Sequence, residues 1–329
     1  VRWLLIPLSA VYKVFLLLRE IYFYVNPGKE LPGFVISIGN IEIGGTGKTP
    51  VVEALAARLS QGGKKVVILT RGYKSNLKSN EMSILSGGKV IFGKKDLVHA
   101  DEPMMLSNSL PACWIVVGAK RYENAIRAMS FLNFKPDFWL LDDGFQHRKI
   151  CRDFDVVLVN RLGTRFYDFI FPVGFLREPV KALKRAHAIL YSRSPLHGWK
   201  NQFALSFHTG PVLSVDGLKV DFKAFGKVGI VTALAHPEQF KATVESLGMI
   251  PSSFSYKRDH VAFMASEIEP ILTKVDQIVI TEKDFWRQPE LWKLWKDRVY
   301  RVTQHANLPE EFVESIFSLE KSLSLSKKK

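Results

Sequence analysis

Two cysteines in 329 residues, Cys113 and Cys151, are too few for a disulfide framework, and nothing around them has metal-ligand spacing. A reducing, cytoplasmic setting is the expectation. No internal repeat or long low-complexity tract interrupts the chain, and its 47% hydrophobic content supports folded structure throughout. Long apolar runs are missing as well. The segment Trp3 to Val25 comes nearest, but Lys13, Arg19 and Glu20 break it before the roughly 18 residues a spanning helix requires. Basic residues are scattered rather than interleaved with aromatics on one element, which argues against a nucleic-acid partner despite a formal net charge of +14. The guanine-reading Asn-Lys-x-Asp pattern is absent too: Asn160-Arg161-Leu162-Gly163 and Thr281-Glu282-Lys283-Asp284 resemble it only superficially.

What is present begins with charge, which needs a surface or a phosphorylated substrate to balance it. On a helix at about 100° per residue, Arg2, Ser9, Lys13 and Glu20 share one narrow stripe, and nearly everything else in residues 1–25 is apolar or aromatic. Such a helix suits a bilayer interface. A secretory signal is not expected, because nucleotide-binding chemistry follows within a few tens of residues.

That chemistry is announced by Ile43-Gly44-Gly45-Thr46-Gly47-Lys48-Thr49-Pro50, set between the apolar run Phe34 to Ile38 and a helical pattern. Backbone N–H groups of a glycine-rich turn converge on phosphate oxygens, a lysine adds a point charge, and a hydroxyl at the helix start can ligate Mg²⁺. Glu42 stands where the usual loop has glycine. Pro50 is tolerable only in a first helical turn, so the helix is expected to start at about Lys48. Val51, Val52, Leu55, Ala56 and Leu59 continue it at helical spacing until Gly62-Gly63.

Strand-like runs recur at 66–70, 114–117, 138–141, 156–159 and 188–191, alternating with helical patterns such as 119–132. The expected fold class is α/β: a P-loop NTPase-like, mostly parallel sheet with helices on both faces, plus a smaller second α/β domain. The expected organisation is an interface helix over 1–25, a core over 26–200, an extended connector over 201–217 and the smaller domain over 218–329.

Phe138-Trp139-Leu140-Leu141-Asp142-Asp143 is an apolar strand ending in two carboxylates, the arrangement of a Walker-B element that holds Mg²⁺. Gly144-Phe145-Gln146-His147 adds polar groups at the same strand end. Asp101 reads first as a helix N-cap, Asp259-His260 is ambiguous, and Arg177-Glu178-Pro179 suits either a loop ion pair or an anion clamp.

Taken together, Gly39-Asn40 through Pro50, Arg71-Gly72-Tyr73, Asp101-Glu102-Pro103, Asp142 to His147, Arg177-Glu178-Pro179, Asp259-His260 and Thr281 to Asp284 resemble the tetraacyldisaccharide 4'-kinases of lipid A biosynthesis. The resemblance implies transfer of the γ-phosphoryl of ATP, with Mg²⁺, to the 4'-hydroxyl of an acylated disaccharide 1-phosphate lipid, forming lipid IVA at the cytoplasmic face of a bacterial inner membrane. It implies Asp101 as the base, with His260 oriented against it. Lys48 and the loop from Gly44 to Thr49 would hold phosphates. Thr49, Asp142, Asp143 and Glu178 would serve the metal, and Arg177, Gln146 and His147 the substrate. No obligate protein partner is implied. Val261 and Phe285 depart from the family pattern. The competing expectation is a membrane-associated P-loop ATPase switch of the partitioning or metal-chaperone type, although Ile43 stands where many of those carry lysine.

Overall fold

The computed structural model describes residues 2–73, 75–94, 101–160, 162, 168–222, 225–259 and 261–326. His260, Arg161 and Gly163 lie outside them.

After α1 (Ile6–Val25), the chain runs β1 (Phe34–Asn40), α2 (Lys48–Gln61), β2 (Val66–Thr70), β3 (Ser83–Ser86), β4 (Lys89–Phe92), α3 (Asp101–Ser109), β5 (Trp114–Val117), α4 (Arg121–Ala128), β6 (Phe138–Asp142), β7 (Phe154–Val159), β8 (Ala188–Tyr191) and β9 (Gln202–Ala204). These strands form one sheet in the order β4-β3-β5-β2-β6-β1-β7-β8-β9. It is parallel from β5 to β9, and β3 and β4 add an antiparallel edge. The parallel strands β1, β2, β6 and β7 are buried along their whole length, which is why each reads as a continuous apolar run. One face packs Ile36, Ile68, Leu140 and their neighbours against α2; the other packs Val35, Val67 and Trp139 against Ala125 and Ala128 of α4.

A second sheet follows from β10 (Ser206–Ser214), β11 (Lys227–Thr232), α5 (Pro237–Ser246), β12 (Ile250–Tyr256), α6 (Ala265–Leu272), β13 (Gln277–Thr281), α7 (Glu282–Arg287), α8 (Pro289–Lys293) and β14 (Val299–Asn307). Its order is β10-β14-β13-β11-β12. The chain ends in α9 (Glu310–Ser326).

Three features differ from the sequence expectation. The 201–217 stretch is not a separate connector: β9 is the last strand of the first sheet and β10 the first of the second, with the buried Leu205 between them. Extended sequence looks the same whether or not it is paired. Nor does all of 218–329 belong to the second unit, because α9 returns to the first sheet. Phe312 and Ile316 join its core, the Phe317 ring meets Phe138 edge-on, and Arg58 pairs with Glu310. The third is β3 and β4, a hairpin within a polar stretch, turned by Gly87 and Gly88 at φ +55° and +74°.

Candidate active site

The parallel register of β1 on β6 sets Ile38 opposite Asp142. Two segments therefore leave the sheet side by side at its carboxyl edge, where ligands of open α/β sheets bind. One is the glycine-rich loop and the other carries Asp142-Asp143.

The loop is closed by Asn40, whose side-chain amide donates to Thr46 Oγ1 at 2.9 Å. The Asn40 carbonyl accepts from Gln146 Nε2 at 2.8 Å, so Gln146 braces the loop. Gly44 adopts φ +117°, and neither Gly44 nor Gly45 has an atom within 4 Å of where a Cβ would stand. This leaves their backbone open for approach. Gly47, at φ +80°, ends the loop, and α2 starts at Lys48 with Pro50 in its first turn, as expected from the sequence. Gly47 is closed on its other side: a Cβ there would stand 2.3 Å from Cζ of Phe207, delivered by β10. Glu42 is buried rather than part of the open loop, and its Oε1 accepts from the Asn160 backbone at 3.1 Å. The atypical residue ties the loop to the end of β7.

Asp142 and Asp143 have opposite electrostatic surroundings. The carboxyl of Asp142 is pushed up to about 7, by burial first and then by the charges of Glu102 and Asp143, against the pull of Lys48 and Arg121. Burial would also raise Asp143, but Lys48, Arg177 and Arg121 together hold it below the usual carboxylate range. The contacts are direct: Lys48 Nζ lies 3.4 Å and an Arg177 guanidinium nitrogen 3.2 Å from the Asp143 carboxylate. Arg121 donates to the Asp143 carbonyl at 3.1 Å, steadying a residue at φ +48°.

Among the described residues no group of three or more His, Cys, Asp and Glu side chains could hold a metal by itself. Paired carboxylates at the strand end, with Lys48 of the phosphate loop against one of them, suit instead a hard cation that keeps water and substrate phosphate among its ligands, as Mg²⁺ does. Glu178, expected in that set, is elsewhere. Its side chain is 2% exposed and is taken up by Arg19 on one oxygen and by Arg185 at 2.5 Å on the other. A carboxylate bracketed by two guanidinium groups has little left to offer a metal.

His147 is pushed down to about 3 by burial and by the positive charges of Arg121, Lys149, Arg152 and Arg71. It is a neutral imidazole at physiological pH, and its buried Nε2 has no hydrogen-bond partner among the described residues.

Asp101 opens α3 and is 2% exposed. It meets the second unit, where Arg287 of α7 sets a guanidinium nitrogen 3.2 Å from Asp101 Oδ2. The same nitrogen lies 3.8 Å from Asp259, and the other terminal nitrogen pairs with Asp284 at 2.9 Å. Asp284 is itself fixed by hydroxyls of Thr232 and Thr281, each at 2.7 Å, and by the Ala233 N–H at 3.0 Å. Lys283 bridges the junction again, 3.2 Å from Glu102 and 3.5 Å from Asp259. Glu102 in turn raises Asp142, so the junction and the phosphate loop form one charged region.

A family model described as tetraacyldisaccharide-1-P 4'-kinase matches residues 1–320. The chain belongs to that family. A tetraacyldisaccharide 4'-kinase of Chlorobaculum tepidum is 30% identical over 97% of this chain and 96% of its own length. That of Halothermothrix orenii is 32% identical over 86% and 82%. The solved "apo" form of LpxK from Aquifex aeolicus in complex with ATP is similar at a TM-score of 0.80, with 27% identity and coverage of 97% of this chain and 99% of that one.

Within the tetraacyldisaccharide 4'-kinase family, one departure of this chain has a local cause. Phe285 is buried in the second core, and the Arg301 guanidinium lies over its ring at 4.2 Å. Sequence reasoning missed Arg121 and Arg287. Arg121 is an ordinary basic residue in a helical pattern. Arg287 lies one helical turn beyond Lys283-Asp284, and only that spacing hinted that it shares their face.

Proposed function

We infer that the chain transfers the γ-phosphoryl of ATP to the 4'-hydroxyl of a tetraacyldisaccharide 1-phosphate at a lipid surface. The observation that carries this reading is the single charged region in which the open Gly44–Thr49 loop, Lys48, Arg177, the Asp142-Asp143 pair and the buried Asp101 adjoin.

The 4'-oxygen attacks the γ-phosphorus, a new O–P bond forms, and the bond to the β–γ bridging oxygen breaks to release ADP. Asp101 takes the hydroxyl proton, and its burial keeps water from competing. Asp259 shares the Arg287 guanidinium with Asp101, and His260, which lies outside the described residues, is proposed as the partner of the base. Lys48 and the loop N–H groups hold phosphate oxygens, and Arg177 is within reach of the charge that builds on them. Thr49, Asp142 and Asp143 would hold Mg²⁺, which would supply neutralisation of phosphate charge when bound. Neutral His147 is available to the sugar or its phosphate as a hydrogen-bonding group, and Gln146 acts by bracing the loop.

The lipid surface is read from α1, whose polarity is inverted for a soluble helix. Ser9 and Leu16 are its buried residues, whereas Leu8, Val11, Val14, Phe15, Leu18 and Ile21 are each more than half exposed. An unpaired apolar face of this size marks an interaction surface, and a bilayer holding the acyl chains of the substrate is the partner it fits. Among the described residues no helix is long and apolar enough to cross a membrane. Because ATP is the phosphoryl donor, the face we assign to this contact is the cytoplasmic one.

The test is transfer of labelled γ-phosphate to a tetraacyldisaccharide 1-phosphate in mixed micelles. Lipid-dependent labelling that Lys48→Ala and Asp101→Ala each reduce at least a hundredfold is expected. ATP hydrolysis that ignores the lipid and labels none of it would overturn the reading in favour of an ATPase switch.

A further inference from the structure

The polar stripe of α1 grips one short segment of the body. Ser9 Oγ donates to the carbonyls of Ile170 at 2.7 Å and Phe171 at 3.0 Å. The Tyr12 hydroxyl donates to the carbonyl of Arg177 at 3.0 Å. Arg19 takes one oxygen of Glu178, and Arg185, which takes the other, also pairs with Glu20 at 3.0 Å. Leu16 packs with Ile41, Leu176 and Leu183.

The far side of that segment is fastened to the phosphate loop. The Arg177 N–H donates to the Ile41 carbonyl at 2.7 Å, and the Ile43 N–H donates to the Phe175 carbonyl at 2.7 Å. From this position the Arg177 side chain reaches Asp143. Residues 170–178 are thus held between the helix that faces away from the body and the loop that holds phosphate.

We propose that Tyr12 and Arg19 of α1 are positioning residues for phosphoryl transfer: through the backbone of Arg177 and the side chain of Glu178 they set Arg177 against Asp143, so that seating α1 on a bilayer tunes the phosphate site. The inference rests on the kinase reading above, and its link to the bilayer rests on the surface assigned to α1. The helix is too rigid to shift its apolar face without shifting the hydroxyl and guanidinium on its other side. A displacement of about 1 Å in a group that orients a reacting phosphate can cost on the order of a hundredfold in rate.

The experiment compares wild type with Tyr12→Phe, Arg19→Gln and Arg19→Lys. It measures kcat and the KM for ATP in mixed micelles, and co-sedimentation with vesicles of phosphatidylcholine containing about one-third phosphatidylglycerol. Tyr12→Phe should lower kcat about fivefold, the rate equivalent of one hydrogen bond. Arg19→Gln should lower it more, and Arg19→Lys should recover part of the loss. The KM for ATP and co-sedimentation should stay within twofold of wild type. In an Arg177→Ala background, Tyr12→Phe should have no further effect, because its route to the site is gone.

An unchanged kcat in Tyr12→Phe would overturn the proposal, as would an undiminished fivefold loss in the Arg177→Ala background. Tyr12→Phe removes one oxygen and leaves the packing intact, so it decides the matter even if Arg19→Gln fails to fold. Wild type that transfers phosphate in micelles but ignores vesicles would remove the bilayer link and leave the positioning role to the kcat values. Loss of labelled product in wild type itself would overturn the kinase reading and this inference with it.

Discussion

Replacing Arg287 by methionine keeps most of its length and apolar stem but removes the charge that joins the two units. The Arg287 side chain is 2% exposed, and the two carboxylates it pairs with, Asp284 and Asp101, are 1% and 3% exposed. In the variant neither loses its burial, and Asp284, which stays in a poorly solvated place, loses the one cation paired with it among the described residues. Removing one partner of a buried ion pair costs about 3–5 kcal/mol. The lower end applies to Asp284, which keeps its bonds to Thr232, Thr281 and Ala233. A loss near 3 kcal/mol is a large share of the roughly 5–15 kcal/mol that holds a domain folded. Urea unfolding at pH 7.5 would measure it. A loss below about 1 kcal/mol would refute the reasoning.

Three further outcomes are expected. Gly47→Ala combines φ +80° with a Cβ only 2.3 Å from the Phe207 ring, so it should lower stability by about 1–3 kcal/mol and weaken ATP binding, read by urea unfolding and by titration with a labelled nucleotide. His147, with its folded value near 3 against 6.5 when unfolded, should show no imidazole titration by NMR between pH 5 and 8. Because the unfolded chain takes up that proton first, His147 contributes stability above about pH 6.5 that is lost as the pH falls, and His147→Gln should make stability less sensitive to acid between pH 6.5 and 4.

What could be read from the sequence was what is contiguous in it. The strands β1, β2, β6 and β7 were legible because burial on both faces leaves unbroken apolar runs. The phosphate loop was legible because its amides, lysine and hydroxyl follow one another in the chain. β3 and β4 were not: each is only four residues long, too short to stand out as a strand from a surrounding stretch rich in polar residues. Arg121 acts through a carbonyl 22 residues away and Arg287 through a carboxylate 186 residues away, separations that no local pattern encodes. Glu178 misled for the same reason. Its neighbour Arg177 reaches Asp143, while the opposite orientation of the Glu178 side chain is set by Arg19 on a helix 159 residues earlier.

The return of α9 to the first sheet makes the second unit an insertion. The chain leaves the first unit after Leu205 and re-enters it at Glu310, and at the crossing Ser206 is paired with Asn307 on the antiparallel strands β10 and β14. The entire five-stranded unit is joined to the first through two chain crossings, and rests on α3 through Arg287 and Lys283. Cutting the chain after residue 205 would not yield the first unit alone, because the faces of Phe138 and Phe154 that α9 covers would be bared to water. Joining residue 205 to residue 308 through a short turn would keep that cover. The second unit is thus removable in one piece, and with it would go Arg287, Asp284, Lys283 and the loop of Asp259, which surround Asp101 and Glu102 from that side.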